Sequence, residues 1–185
     1  MNLPNAITVA RIFLVPLLVV VLLTKFEGKQ ILGVRHELVG AVIFAIASLT
    51  DWLDGYLARR RQQVTTFGRL MDPLADKLLV TAAFVSIVQM GLAPAWMVAV
   101  ILGREFLVTV LRGIALSRGV VIAASHLGKI KMAAEVTTIL ALILGNEYMP
   151  GLFMLGIVAL WVSLITAVVS GVDYYRRFNH LLSQR

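Results

Sequence analysis

The sequence has no cysteine. That absence excludes disulfides, thiolate catalysis and cysteine-ligated zinc, and it leaves the redox compartment open. Histidine is nearly as scarce, with three in the chain, too few to favour a zinc site. Charged residues make up 15% of the chain, where about 25% is usual, and no polar stretch is long enough for a soluble domain. There is no internal repeat and no low-complexity segment. What fills the chain is apolar: 59% of residues are hydrophobic and the mean hydropathy is +0.90, well above the roughly 45–50% apolar content of soluble proteins. Acids are the rarer sign, with 10 Asp and Glu against 17 Lys and Arg, giving a net charge of +7. Such an excess suits an anionic membrane face or a phosphorylated substrate. Nucleic acid fits less well, because no soluble surface is left to carry a groove-reading element.

A bilayer core about 30 Å thick needs roughly 20 apolar residues per helix, so 185 residues hold about six spans and little else. The segments run over about 6–24, 38–58, 73–91, 95–116, 127–145 and 150–174. Breakers separate them: "KFEGKQILG", Gly68 with Pro73, "MGLAP", Arg118 with Gly119, and "GNEYMPG". The expected fold is therefore an all-α integral membrane protein, a bundle of six transmembrane helices with a polar active-site cavity facing the cytoplasm. The opening "MNLPNAITVARIFLVPLL" has no basic region before its apolar run and no small-residue cleavage site, so the first helix is expected to stay in the mature protein. Basic residues gather in the connection after the second segment, in that after the fourth, and in the tail. By the positive-inside rule both termini and these connections face the cytoplasm. In the tail "DYYRRFNHLL" the paired tyrosines and arginines are expected to anchor the last helix at the interface.

Against this background four acids stand together in "DWLDGYLARRRQQVTTFGRLMDPLAD", residues 51–76. On a helix Asp51, Asp54, Gly55 and Ala58 fall at i, i+3, i+4 and i+7, so two carboxylates and two small residues share a face. Asp72 and Asp76 are one turn apart near the start of the next segment. Converging carboxylates at the edge of a low-dielectric region repel unless a cation sits among them, and a hard divalent ion such as Mg²⁺ takes oxygen ligands and bridges them to phosphates. Other readings stand beside this one. Asp72 before Pro73 also makes a good helix N-cap and first-turn pair, and Asp76 could pair with an arginine. Asp51 and Asp54 lack that alternative, since acids near a helix C-terminus oppose its dipole. Gly55, Ala58 and Gly68 serve close helix packing, the approach of a nucleotide to the backbone, or both. Arg59 is placed to reach a diphosphate, whereas Arg60 and Arg61 read as positive-inside residues.

The pattern Asp51-x2-Asp54-Gly55-x2-Ala58-Arg59-x8-Gly68-x3-Asp72-x3-Asp76 resembles, without departure at any position, the signature of the CDP-alcohol phosphotransferase family. The resemblance implies a transferase in which the hydroxyl of one alcohol displaces CMP from a CDP-linked lipid or alcohol, with the whole chain, 1–185, forming one membrane domain of that family. It implies that Asp51, Asp54, Asp72 and Asp76 hold one or two divalent cations, Mg²⁺ or Mn²⁺. Gly55, Ala58, Arg59 and Gly68 with Asp54 would shape the CDP site. Asp76 would also act as general base toward the acceptor hydroxyl, with Asp72 beside it in the catalytic set.

The acceptor has to be read further downstream. Arg104, Glu105 and Arg112 lie inside the fourth apolar segment, Arg118 follows it, and Lys129 and Lys131 lead into the fifth. Charges at that depth are expected to line a polar cavity, and the cations Arg112, Arg118, Lys129 and Lys131 suit a phosphorylated acceptor. Snorkelling to the interface is the alternative for Arg118, Lys129 and Lys131, and pairing with Glu105 or Glu135 is the alternative for Arg104. These stretches and the opening "NLPNAITVAR", where Asn5, Thr8 and Arg11 have helical spacing, are similar to bacterial family members that join CDP-diacylglycerol to sn-glycerol 3-phosphate, giving phosphatidylglycerol phosphate and CMP. That implies phospholipid biosynthesis at the bacterial inner membrane. Inositol phosphate, serine or phosphatidylglycerol are the alternative acceptors. A divalent-cation channel or carrier is a remote alternative, disfavoured by the missing internal symmetry and by acids placed at the membrane edge. A homodimer is expected from the resemblance and from small residues such as Gly156 and Ser163 on the last helix.

Overall fold

The structure, a computed structural model, describes residues 3–24, 30, 31, 33–61, 66–117 and 126–183. For 3–7, 30, 31, 51–61, 66–70, 72, 126–129, 147, 177 and 180–183 it describes the backbone alone. The described residues form six helices: α1 (Leu3–Leu23), α2 (His36–Arg61), α3 (Thr66–Gln89), α4 (Ala95–Ser117), α5 (His126–Glu147) and α6 (Pro150–Ser183). Between α1 and α2, β1 (Gln30–Ile31) pairs antiparallel with β2 (Val34–Arg35), and Gly33, at a φ of 79°, takes the left-handed turn that this short ribbon needs. No strand was expected there.

All six expected helices are present, but two boundaries move in an informative way. α3 begins at Thr66, so Asp72 and Pro73 lie in its interior and Asp72 does not cap it. Pro73 has no N–H to donate, which leaves the carbonyl four residues earlier, that of Arg69, without its intrahelical donor. α6 runs to Ser183, nine residues past the expected end. At the other end of α3 the chain leaves through a Schellman motif: Leu92 N–H donates to the Ile87 carbonyl at 2.9 Å and Gly91 N–H to that of Val88 at 2.9 Å, with Gly91 at a φ of 75°.

One core runs through the bundle, drawing Leu18 and Leu22 from α1, Phe44 from α2, Phe84 and Ile87 from α3, Ile101 from α4, Leu142 from α5 and Leu160 from α6. The closest pair is α5 and α6. A Cβ added at Gly145 would stand 2.2 Å from the Phe153 nitrogen, and one at Gly156 would stand 2.8 Å from Leu142 Cδ2. Ser163 is fully buried and lies 3.5 Å, oxygen to oxygen, from Thr138 of α5. Gly156 and Ser163 therefore serve close packing inside one chain, not a dimer seam as expected. Large apolar side chains such as Phe106, Val110, Val158 and Ile165 point outward on α4 and α6. Among the described residues one helix, over Pro150–Arg176, is long and apolar enough to cross a membrane, and Thr8–Leu23 and His36–Thr50 are shorter apolar helices.

Candidate active site

The signature occupies the last turns of α2 and the first half of α3, two helices in contact. Asp51, Asp54, Gly55, Ala58 and Arg59 stand on α2, and Gly68, Asp72 and Asp76 follow one another at successive turns of α3. Helical backbone through Asp72 is what keeps the α3 residues in that register, and Thr66 as the start supplies about two extra turns, which carry Gly68 and Asp72. The side chains of Asp51, Asp54, Gly55, Ala58, Arg59, Gly68 and Asp72 lie outside the described ones, as do Arg118 entirely and the side chain of Lys129. Asp76 is described and half-buried. The donor set fits a hard divalent cation: four carboxylates on two contacting helices, with no sulfur or imidazole among them.

Next to Asp76 the bundle holds a layer of paired charges. Glu105 on α4 accepts from Arg104 and from Lys131 of α5, and the Lys131 Nζ also lies 3.3 Å from Glu135 Oε1. Lys131 and Glu135 are both buried, at 6% and 3% exposure. Buried ions persist only in such company, because an isolated charge in a low-dielectric interior loses its hydration without recompense. The layer is not fully satisfied, since Arg104 Nε is buried with no hydrogen-bond partner and Glu135 Oε1 has the ion-pair contact with Lys131 but no hydrogen bond. Arg104 also packs toward α6, its Cγ 3.3 Å from where Gly171 would carry a Cβ.

Toward the C-terminal end of α4 the arrangement opens. Lys77 of α3 donates to Thr109 Oγ1, and Thr109 donates to its own helix at the Glu105 carbonyl, 2.7 Å away. Arg112, one turn beyond Thr109, donates to the Tyr174 hydroxyl of α6, and its guanidinium carbon is 5.2 Å from the tyrosine ring centroid. Tyr174 is 2% exposed, so it faces inward as a support for Arg112 and is not the interface anchor expected of it, a part left to the exposed Tyr175. Thr8 and Arg11 of α1 are likewise buried inside the bundle.

The expected acceptor residues thus separate. Arg112 stands at an accessible position with an uncharged partner, whereas Lys131 is held between two glutamates. Reading from sequence overlooked Lys77 and Thr109. A signal existed for Lys77: it sits in an apolar helix with Pro73, Leu74, Val80 and Thr81 at its three- and four-residue neighbours, none of them an acid.

A helical bundle whose four signature aspartates stand on two contacting helices, with Asp76 and Arg112 both near Lys77, suits an enzyme of phospho-group chemistry. The CDP-alcohol phosphatidyltransferase model matches residues 1–169, and the chain belongs to that family. It is 48% identical, over 95% of this chain and 94% of the relative, to the CDP-diacylglycerol--glycerol-3-phosphate 3-phosphatidyltransferase of Bacillus subtilis. A protein of the same name from Rickettsia bellii is 33% identical over 95% of this chain and 94% of its own length. A probable phosphatidylglycerophosphate synthase of Mycobacterium tuberculosis is 38% identical over 95% of this chain and 81% of its own length.

Proposed function

We propose that this protein transfers the phosphatidyl group of CDP-diacylglycerol to sn-glycerol 3-phosphate, releasing CMP and forming phosphatidylglycerol phosphate for phospholipid biosynthesis. The observation that carries the reading is the 48% identity to a relative of that name across 95% of the chain, with every residue of the signature in place. The acceptor hydroxyl oxygen forms a bond to the lipid-linked phosphorus as the bond from that phosphorus to CMP breaks. Asp76 takes the hydroxyl proton. Asp51, Asp54, Asp72 and Asp76 would hold one or two Mg²⁺ or Mn²⁺ ions, which neutralise the diphosphate and favour departure of CMP. Gly55, Ala58, Arg59 and Gly68 would admit the CDP group. Arg112, with Arg118 and Lys129, meets the acceptor phosphate, while Lys131, held between Glu105 and Glu135, sets the electrostatic frame.

The six helices are read as six spans of a bacterial inner-membrane protein with termini and active site on the cytoplasmic side, supported by the basic connections and tail. The outward apolar faces of α4 and α6 suit lipid. The homodimer that the resemblance implies belongs to the same proposal; native mass measurement in lipid checks it, and a monomer alone would remove it.

An acceptor screen tests the reaction. Purified protein with labelled CDP-diacylglycerol and Mg²⁺ or Mn²⁺ is expected to release CMP with glycerol 3-phosphate, and far less with inositol phosphate, serine or phosphatidylglycerol. Release that is absent with glycerol 3-phosphate, or that needs no divalent ion, defeats the acceptor or the metal assignment respectively.

A further inference from the structure

The ion layer around Glu105 does not use all the cations beside it. Among the described side chains on α3, α4 and α5 that face this region, Arg104 and Lys131 meet glutamates. Lys77 and Arg112 donate to uncharged oxygens, the Thr109 hydroxyl and the Tyr174 hydroxyl. Lys77 is half-buried and stands within electrostatic reach of Glu105, Arg112, Lys131 and Asp76. Thr109 and Arg112 are one turn apart on α4, so the lysine that reaches Thr109 from α3 also approaches the arginine. Lys77 also feels the Glu105 carboxylate, but that group already meets Arg104 and Lys131, so an anion placed between Lys77 and Arg112 still relieves their mutual repulsion and lost hydration.

We propose that Lys77 is a binding residue for the phosphate of the acceptor, closing on it from α3 while Arg112 closes from α4, and that this pair favours a phosphorylated alcohol over an uncharged one. The inference rests on the function proposed above and names a residue of that same site. Its place in the chain supports the assignment. Asp76 lies within electrostatic reach of Lys77, so a short acceptor whose hydroxyl faces the carboxylate carries its phosphate within reach of the long lysine side chain. The two cations also differ usefully: a compact ammonium fits one phosphate oxygen, and a guanidinium braced by Tyr174 spans two. The paired layer lies deeper. Glu105 is seven residues, roughly 10 Å of helix, from Arg112, which leaves the Lys77–Arg112 level nearer the end of α4 at Ser117.

The test uses purified full-length protein and three readouts: KM for glycerol 3-phosphate, KM for CDP-diacylglycerol, and competition by inorganic phosphate. Lys77→Met keeps the apolar stem and drops the charge. A lost charge-assisted phosphate contact is expected to raise the KM for glycerol 3-phosphate about ten- to hundredfold and weaken phosphate competition in parallel, with the KM for CDP-diacylglycerol moving less than about twofold. Lys77→Arg is expected to recover most of the loss. Thr109→Val, at an exposed position, is expected to raise the acceptor KM alone by about two- to fivefold through a loosened Lys77, and it decides the matter if Lys77→Met does not fold. An unmoved acceptor KM, or a rise confined to CDP-diacylglycerol, overturns the assignment of Lys77. A wild-type protein that makes no product from glycerol 3-phosphate overturns the underlying reaction, and with it this inference, so the two failures are told apart.

Discussion

In the proposed reaction Asp76 is the residue on which the chemistry turns. It stands on α3 beside the paired charges and accepts the acceptor proton in the proposed reaction. A positioned base contributes typically about 10²- to 10⁴-fold, and a carboxylate that would also hold a cation against the diphosphate contributes more. Asp76→Asn and Asp72→Asn are therefore expected to lower CMP release at least about 10²-fold while the purified protein keeps its elution profile and thermal transition. Turnover near wild type in both variants would sink the assignment. Tyr174→Phe probes the support of Arg112. It removes the hydroxyl that receives the guanidinium but keeps the ring 5.2 Å away, so the KM for glycerol 3-phosphate is expected to rise about three- to tenfold with kcat little changed, in line with one lost hydrogen bond to a charged group. At this scale the sequence was unevenly legible. The four aspartates stood out because acids are scarce in an apolar chain and their spacing is rigid. Tyr174 did not, because the choice between facing lipid headgroups and facing Arg112 depends on how α6 is rotated against α4. Lys131 had the same difficulty in part: Glu135 is its neighbour four residues on along α5, but only the folded bundle shows Glu105 of α4 as its second partner.

At the scale of the element, hydropathy located every helix, because each must bury its own backbone hydrogen bonds whatever surrounds it. It misplaced the start of α3 at Pro73. A proline tolerated in the interior of a helix looks, in sequence, like one at its first turn. The same ambiguity made Asp72 look like a cap, and the longer helix is what aligns Gly68, Asp72 and Asp76 at successive turns. The role of the small residues on α6 was also illegible, since a glycine does not announce which neighbour it admits. The structure gives that neighbour as α5. Gly145→Ala would drive a methyl group onto the Phe153 backbone, which cannot rotate away as a side chain could. It is expected to destabilise the protein by about 1–3 kcal/mol, the range for overpacked cores, or more if α6 cannot shift. Thermal unfolding in detergent checks this, with Gly151→Ala, where nothing lies within 4 Å, as the control expected to unfold at nearly the wild-type temperature. Equal transitions for the two variants would show that α5 and α6 do not cross as closely as described.

At the scale of the molecule, orientation decides whether the site can work, since the proposed reaction needs a water-soluble phosphorylated acceptor and returns CMP. If every helix spans, the loop at Tyr148, between α5 and α6, and the end of α4 at Ser117 belong to opposite faces. Among the described residues one helix is long and apolar enough to establish a span by itself; Thr8–Leu23 and His36–Thr50 fall short in length, whereas α3, α4 and α5 carry charges such as Lys77, Arg104, Glu105, Lys131 and Glu135. Those charges are a physical reason for the shortfall: a helix lining a polar interior gives up hydropathy on that side and keeps it on the lipid side alone. The absence of cysteine makes the arrangement directly measurable, since any introduced thiol is the sole target of a maleimide. Ser117→Cys and Tyr148→Cys are both at exposed positions. In intact cells a membrane-impermeant maleimide is expected to label Tyr148→Cys and spare Ser117→Cys, and permeabilisation is expected to expose Ser117→Cys. The opposite result would place Arg112 and the carboxylates on the outer face, away from a cytoplasmic acceptor. Labelling of both thiols in intact cells would mean that α5 does not cross the membrane, and the six-span reading would fall while the bundle and its site remained.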